Sequence, residues 1–101
     1  LLAQRGARVA ILDRDARAAE AMARQLGDEQ GIGWGGDVTD PAAVDAVLEA
    51  MTARWGGIDD LVNNAGTWDH GTLLELSTER WRKVFEVNLM APIAISNAAV
   101  P

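Results

Sequence analysis

Four places along the chain put polar groups where they can meet a ligand. Asp13 ends the short apolar run at 7–12, A-R-V-A-I-L. If that run is a parallel strand, Asp13 stands at its carboxyl end, where open parallel sheets hold their ligands, and a carboxylate there accepts hydrogen bonds from a pair of hydroxyls. Asp37-Val38 follows G-I-G-W-G-G and offers an acceptor beside a backbone donor. Asn63-Asn64-Ala65-Gly66 combines uncharged amides, which satisfy strand-end donors and acceptors, with small residues that allow close backbone approach. Asn88 shares helical spacing with Trp81, Phe85 and Pro92, so its amide falls on an otherwise apolar face, and a buried amide needs a partner. Pro92 has no N–H, so the Asn88 carbonyl loses its usual helical donor and is open to a water or another side chain.

Each group also has an ordinary use. Asp13 can end a strand or help to cap the next helix, and Asp37 can sit in a plain strand-to-helix turn. Asn88 can be solvated or locally bonded in a Pro-kinked helix, and Asn-rich turns occur in unrelated loops. His70 is the only histidine and has no second ligand type at metal-binding spacing, so it reads as a loop residue. Of Trp34, Trp55, Trp68 and Trp81, two fit packing positions on elements, while Trp68 falls in a loop.

The elements that would position these groups follow from periodicity and caps. Residues 7–13 have the length and continuous apolar character of a buried parallel strand. Residues 15–26 are Ala-rich, with Ala18, Ala19, Met22 and Leu26 on one face and Gly27 placed for a left-handed C-terminal cap. Residues 31–37 hold four glycines, which weaken a strand interior, and predict a short edge strand. Asp40 then caps, Pro41 fits the first helical turn, and Val44, Val47, Leu48, Met51 and Trp55 make one apolar stripe before Gly56. Residues 58–63 predict a third strand. A last helix starts at Ser77 or Thr78 and carries Trp81, Val84, Phe85, Leu89 and Ile93. The expected order is βαβαβ followed by a helix, with right-handed parallel crossovers. No repeat, low-complexity tract or linker interrupts it.

Composition narrows the function classes. At 101 residues one domain is the ceiling, and no apolar run approaches the roughly 18 residues of a membrane span. The absence of cysteine removes disulfides, thiolate zinc sites and cysteine nucleophiles. A net charge of -6 opposes attraction to polyphosphate, so nucleic acid is not an expected partner, nor is a membrane.

R-G-A-R-V-A-I-L-D-R-D, G-D-V-T-D, D-D-L-V-N-N-A-G and V-F-E-V-N-L occur in one order, with G-D-V-T-D 27 residues before N-N-A-G and V-N-L 24 residues after it. In this combination the whole chain resembles the classical short-chain dehydrogenase/reductases. The resemblance implies a partial Rossmann-like doubly wound α/β sheet, with residues 1–101 forming part of a dinucleotide-binding domain. It also implies an NAD(P)-dependent oxidoreductase interconverting an alcohol and a carbonyl, cytoplasmic and homo-oligomeric in its complete form. Asp13 would take the adenosine ribose hydroxyls and repel a 2′-phosphate, which favours NAD over NADP, with Arg14 pulling the other way. Asp37 and Val38 would hold the adenine. Asn64, with Ala65 and Gly66, would lie beside the cofactor ribose, and Asn63 would tie its strand to a neighbour. Asn88 would act catalytically, its carbonyl reaching the family's Lys through a water.

The same resemblance places a first strand and a Gly-rich turn, T-G-x-x-x-G-x-G, ahead of Leu1, and makes residues 1–5 the tail of the helix after it. It places a catalytic Ser and a Y-x-x-x-K pair beyond Pro101; the chain itself contains no Tyr, and its only Lys is Lys83. Residues 1–101 alone are therefore expected to be inactive and marginally stable, with sheet edges unpaired. The competing readings are a non-catalytic nucleotide-binding α/β module and an unrelated flavodoxin-like domain.

Overall fold

A computed structural model describes residues 1–100. Its contacts divide the chain into two compact units, Leu1–Ile58 and Asp59–Pro101. In the first unit a single 3-10 turn, Ala3–Arg5, closes on Gly6 and leads into the sheet. Strand β1 (Val9–Asp13) then leads through helix α1 (Ala16–Leu26) to strand β2 (Gly31–Gly35), which lies parallel to β1 with Val9 opposite Gly31 and Asp13 opposite Gly35. Helix α2 (Pro41–Trp55) follows.

Helix starts are set by capping carboxylates. Asp15 Oδ1 accepts from Ala18 N at 3.0 Å and Asp40 Oδ1 from Ala42 N at 3.0 Å, with Pro41 opening α2 where its missing N–H costs nothing. Gly56 ends α2 in the left-handed conformation, φ 90° and ψ -4°. Gly27 differs from expectation: its φ of 94° is positive, but its ψ of 151° is extended, so the chain leaves α1 directly towards β2.

The glycines of β2 turn out to be its packing surface. A Cβ on Gly31 would lie 2.4 Å from the Ala23 carbonyl oxygen, on Gly33 2.4 Å from that of Ala19, and on Gly35 2.4 Å from Ala16 Cβ. Alternate strand positions face one way, so Gly31, Gly33 and Gly35 form a flat strip on which α1 lies with its own backbone almost in contact. This corrects the expected face of α1: Ala19 and Ala23 are buried, whereas Ala18 and Met22 are exposed. A large side chain cannot enter so close a contact, and alanine can. The stripe on α2 is as expected, with Val44 and Val47 buried and Leu48, Met51 and Trp55 partly so.

The second unit departs further from expectation. Residues 58–63 form no strand: the only sheet among the described residues is β1-β2, and Val62 is 73% exposed. An apolar run acquires strand structure from a neighbouring ladder, which local periodicity does not supply. The last helical region begins at Ser77, whose hydroxyl accepts from Arg80 N at 3.3 Å, and runs as α3 (Thr78–Phe85), a π-helical turn (Glu86–Met90) and α4 (Ala91–Ala99). Its covered side follows Trp81, Val84, Val87, Ala91 and Ile95, while Phe85, Leu89 and Ile93 are about half exposed. Positions four apart drift around a helix of 3.6 residues per turn, which carries that predicted stripe off the covered side.

Candidate functional site

The candidate residues fall into two groups, one in each unit. In the first unit, Asp13 ends β1 and Asp37 follows β2 by two residues, so both carboxylates lie beyond the carboxyl ends of adjacent parallel strands. Each spends one oxygen on its own loop. Asp13 Oδ1 accepts from Asp15 N at 2.8 Å, and the Asp13 carbonyl accepts from Gly36 N at 2.9 Å, tying the two strand ends together. Asp37 Oδ1 accepts from Thr39 N at 2.9 Å and Thr39 Oγ1 at 2.8 Å.

At Asp37 the contacts fix protonation as well as position. The Thr39 N–H, then its hydroxyl, hold the Asp37 carboxyl below its ordinary value, with Arg14 adding a favourable charge, so Asp37 remains an ionised acceptor. The second oxygen of Asp13 and of Asp37 takes no hydrogen bond among the described residues. The free oxygens therefore suit a ligand that brings hydrogen-bond donors to this edge. Val38 follows directly and is partly buried.

In the second unit, the segment carrying Asn64, Ala65 and Gly66 is held by Asn88 at its far end. Asn88 Oδ1 accepts from Thr67 N at 2.8 Å, and Asn88 Nδ2 donates to the Thr67 carbonyl at 2.6 Å. One side chain thus satisfies both backbone groups of Thr67, as a neighbouring strand would. Asn88 is exposed rather than buried, which corrects the expectation of an amide within an apolar face. Gly66 lies close beneath it: a Cβ there would be 3.5 Å from Asn88 Oδ1. At the near end Asn63 Nδ2 donates to Ser96 Oγ at 3.3 Å, and Ser96 Oγ donates to the Pro92 carbonyl at 2.7 Å. Asn63 is a tie, as expected, but to a helix and not to a strand.

Sequence reading missed the loop that follows. Asp69 and Arg80 form a two-pronged ion pair, with Arg80 Nε to Asp69 Oδ2 at 2.6 Å and Arg80 Nη2 on Asp69 Oδ1. Glu75 Oε2 accepts from Thr72 N at 2.8 Å. Eleven residues separate Asp69 from Arg80, and no local pattern links them; Asp37, by contrast, was readable as a turn residue. Among the described residues no group of His, Cys, Asp and Glu is placed to hold a metal, and His70 instead packs against Trp68.

The Arg80 fork, followed by the His70 N–H, holds the Asp69 carboxyl below its ordinary value. A depressed folded-state pKa contributes stability above the ordinary carboxyl range, and that stability is lost as pH falls through the lowered value. Amide protection around His70, followed by NMR on acidification, is expected to persist through the ordinary Asp range and fail below it. Asp69→Asn should abolish that step; a midpoint at the ordinary Asp value would refute the coupling.

The short chain dehydrogenase profile matches residues 1–101. The chain belongs to the short-chain dehydrogenase family. Among curated relatives of this family, the chain is 39% identical over 100 residues to 3-oxoacyl-(acyl-carrier-protein) reductase FabG of Vibrio cholerae, covering 99% of this chain and 41% of that protein. Among solved structures it is similar to 3-ketoacyl-(acyl-carrier-protein) reductase from Brucella melitensis complexed with NADH, with a TM-score of 0.89 and 29% identity over 98% of this chain and 41% of that one. It is also similar to L-sorbose reductase from Gluconobacter frateurii complexed with NADPH and L-sorbose, with a TM-score of 0.86 and 34% identity over 98% and 39%. Short-chain dehydrogenases are oxidoreductases that bind NAD(P)H, and the partial Rossmann-like α/β fold expected from sequence is therefore the right class. The chain spans about two fifths of the length of these relatives.

Proposed function

We propose that residues 1–101 are the cofactor-side part of one dinucleotide-binding domain, in an NAD-dependent dehydrogenase that interconverts a small alcohol and its carbonyl. The observation that carries this reading is the pair of carboxylates, Asp13 and Asp37, beyond adjacent parallel strand ends, each with one oxygen uncommitted. Asp13 takes the ribose hydroxyls, Asp37 and Val38 the adenine, and Asn64, with Ala65 and Gly66, lies beside the cofactor ribose. Asn88 contributes its main-chain carbonyl to proton transfer in the complete protein, where Pro92 cannot occupy it. The nicotinamide, when bound, supplies hydride transfer; this chain's residues bind and orient the nucleotide. Cytoplasmic residence and homo-oligomerisation belong to the same proposal, and no described helix is long and apolar enough to cross a membrane.

The two free carboxylate oxygens at the strand ends also fit, as a second reading, a module that binds the nucleotide without turnover. Full-length protein supplied with NAD and a panel of secondary alcohols is expected to form NADH, and purified 1–101 to form none. Nucleotide binding by the full-length protein without turnover would support the second reading. Reproducible turnover by 1–101 would sink the assignment of proton transfer to groups outside it.

A further inference from the structure

The loop that carries Asp13 into α1 is only two residues long, Arg14 and Asp15, and it is held from both sides. Asp15 N donates to Asp13 Oδ1 at 2.8 Å and Ala18 N to Asp15 Oδ1 at 3.0 Å, so the Asp13 carboxylate is tied to the first turn of the helix. On the other side Gly36 N donates to the Asp13 carbonyl at 2.9 Å, which ties its main chain to the end of β2. The two ties meet at one contact. Ala16 opens α1, and Gly35 closes β2 as the ladder partner of Asp13; they sit so close that a Cβ on Gly35 would lie 2.4 Å from the Ala16 Cβ.

Strain at that contact has two ways out, and both end at Asp13. If α1 lifts until the methyls reach the 3.4 Å of ordinary contact, Asp15 N is carried off Asp13 Oδ1; if the end of β2 retreats instead, Gly36 N is carried off the Asp13 carbonyl. An emptied contact also loosens the loop, because the first turn of α1 loses its seat on the strand. We infer that Gly35 and Ala16 are positioning residues for cofactor choice: their close contact holds the Asp13 carboxylate in the bearing that accepts ribose hydroxyls and repels a 2′-phosphate. This rests on the cofactor reading proposed above. A released carboxylate samples other staggered positions, so it must be immobilised again to bind the ribose, and it can turn away from a phosphate. The preference for NAD then falls although the charge remains.

The test is titration of full-length protein with NAD and with NADP, reading the ratio of the two dissociation constants. Gly35→Ala is expected to lower the preference for NAD by about threefold and Ala16→Gly by about twofold, the scale of one side chain freed from immobilisation. Gly35→Ala combined with Ala16→Gly moves the methyl from helix to strand and refills the contact, with the Ala16 Cα 3.1 Å away, so the ratio should return close to the wild-type value. A purely structural role would weaken both cofactors alike, and the double variant, which keeps the helical glycine, would then show no recovery. An unchanged ratio in either single variant that folds, or a double variant no better than Ala16→Gly, would overturn the inference. Should Gly35→Ala not fold, Ala16→Gly and the double variant decide. Asp13→Asn separates the two levels. If it shifts the ratio and the contact variants do not, this inference alone fails; if it leaves the ratio unchanged, the cofactor reading falls and the inference with it.

Discussion

Gly33→Ala is expected to destabilise the full-length protein by about 3 kcal/mol, the upper end of what overpacking usually costs. The added methyl would meet the Ala19 carbonyl oxygen at 2.4 Å, and the Ala19 carbonyl carbon and Glu20 nitrogen at 2.5 Å. All three are backbone atoms inside α1, so no rotamer change relieves the clash; the helix must lift from the strand. Gly35→Ala differs in kind, because the methyl there meets Ala16 Cβ at 2.4 Å, and that atom can be deleted. Gly35→Ala with Ala16→Gly should therefore recover most of the stability lost by Gly35→Ala alone, less up to about 1 kcal/mol for a helical glycine. Gly33→Ala with Ala19→Gly should recover nothing. Urea midpoints of the four variants settle the matter, and equal rescue of both pairs would show that α1 does not rest on β2 through its backbone.

Asp13→Ala should shift the ratio of NAD to NADP efficiency towards NADP by roughly tenfold. On the proposed cofactor reading, the substitution removes an acceptor for the ribose hydroxyls and a like charge facing a 2′-phosphate. Two unit charges 4 Å apart interact by about 1 kcal/mol in water and about 4 kcal/mol at an effective dielectric of 20. Asp13 is exposed, which selects the low end, and about 1.4 kcal/mol corresponds to the tenfold change. Its other oxygen receives the Asp15 N–H, so Asp13→Asn is the informative companion: it keeps that acceptor while removing the charge. Steady-state kinetics with both cofactors should show Asp13→Asn moving the ratio nearly as far as Asp13→Ala. An unchanged ratio in both would detach Asp13 from cofactor choice.

What could be read in advance depended on how local its cause was. Asp40 and Ser77 cap helices through bonds spanning two or three residues, so those caps were visible in the sequence, whereas the cap of α1 is Asp15 and not Asp13. The family was legible because N-N-A-G and V-N-L keep their distance along the chain. The glycines of β2 were legible as a weakness and not as a surface, because their meaning lies in Ala16, Ala19 and Ala23 across the contact. Residues 58–63 carry a strand's composition but not its partner, and pairing is the non-local half of a strand. Among the site residues, Asn88 was found for its place next to Pro92, yet its hold on Thr67 spans 21 residues and left no trace in spacing.

The π turn at Glu86–Met90 works as a phase adjustment in a long helical stretch. Asn88 within the turn and Ser96 beyond it both reach the 63–67 segment, at Thr67 and Asn63 respectively. Eight residues of plain α-helix would leave two side chains about 80° apart around the axis, too far round for both to serve one short segment. A wider turn advances the chain with less rotation per residue, which brings the two bearings closer together. Rewinding 86–90 as plain α-helix with every residue kept would set the two anchors at odds: the stretch could keep its grip on Thr67 or on Asn63, but not on both.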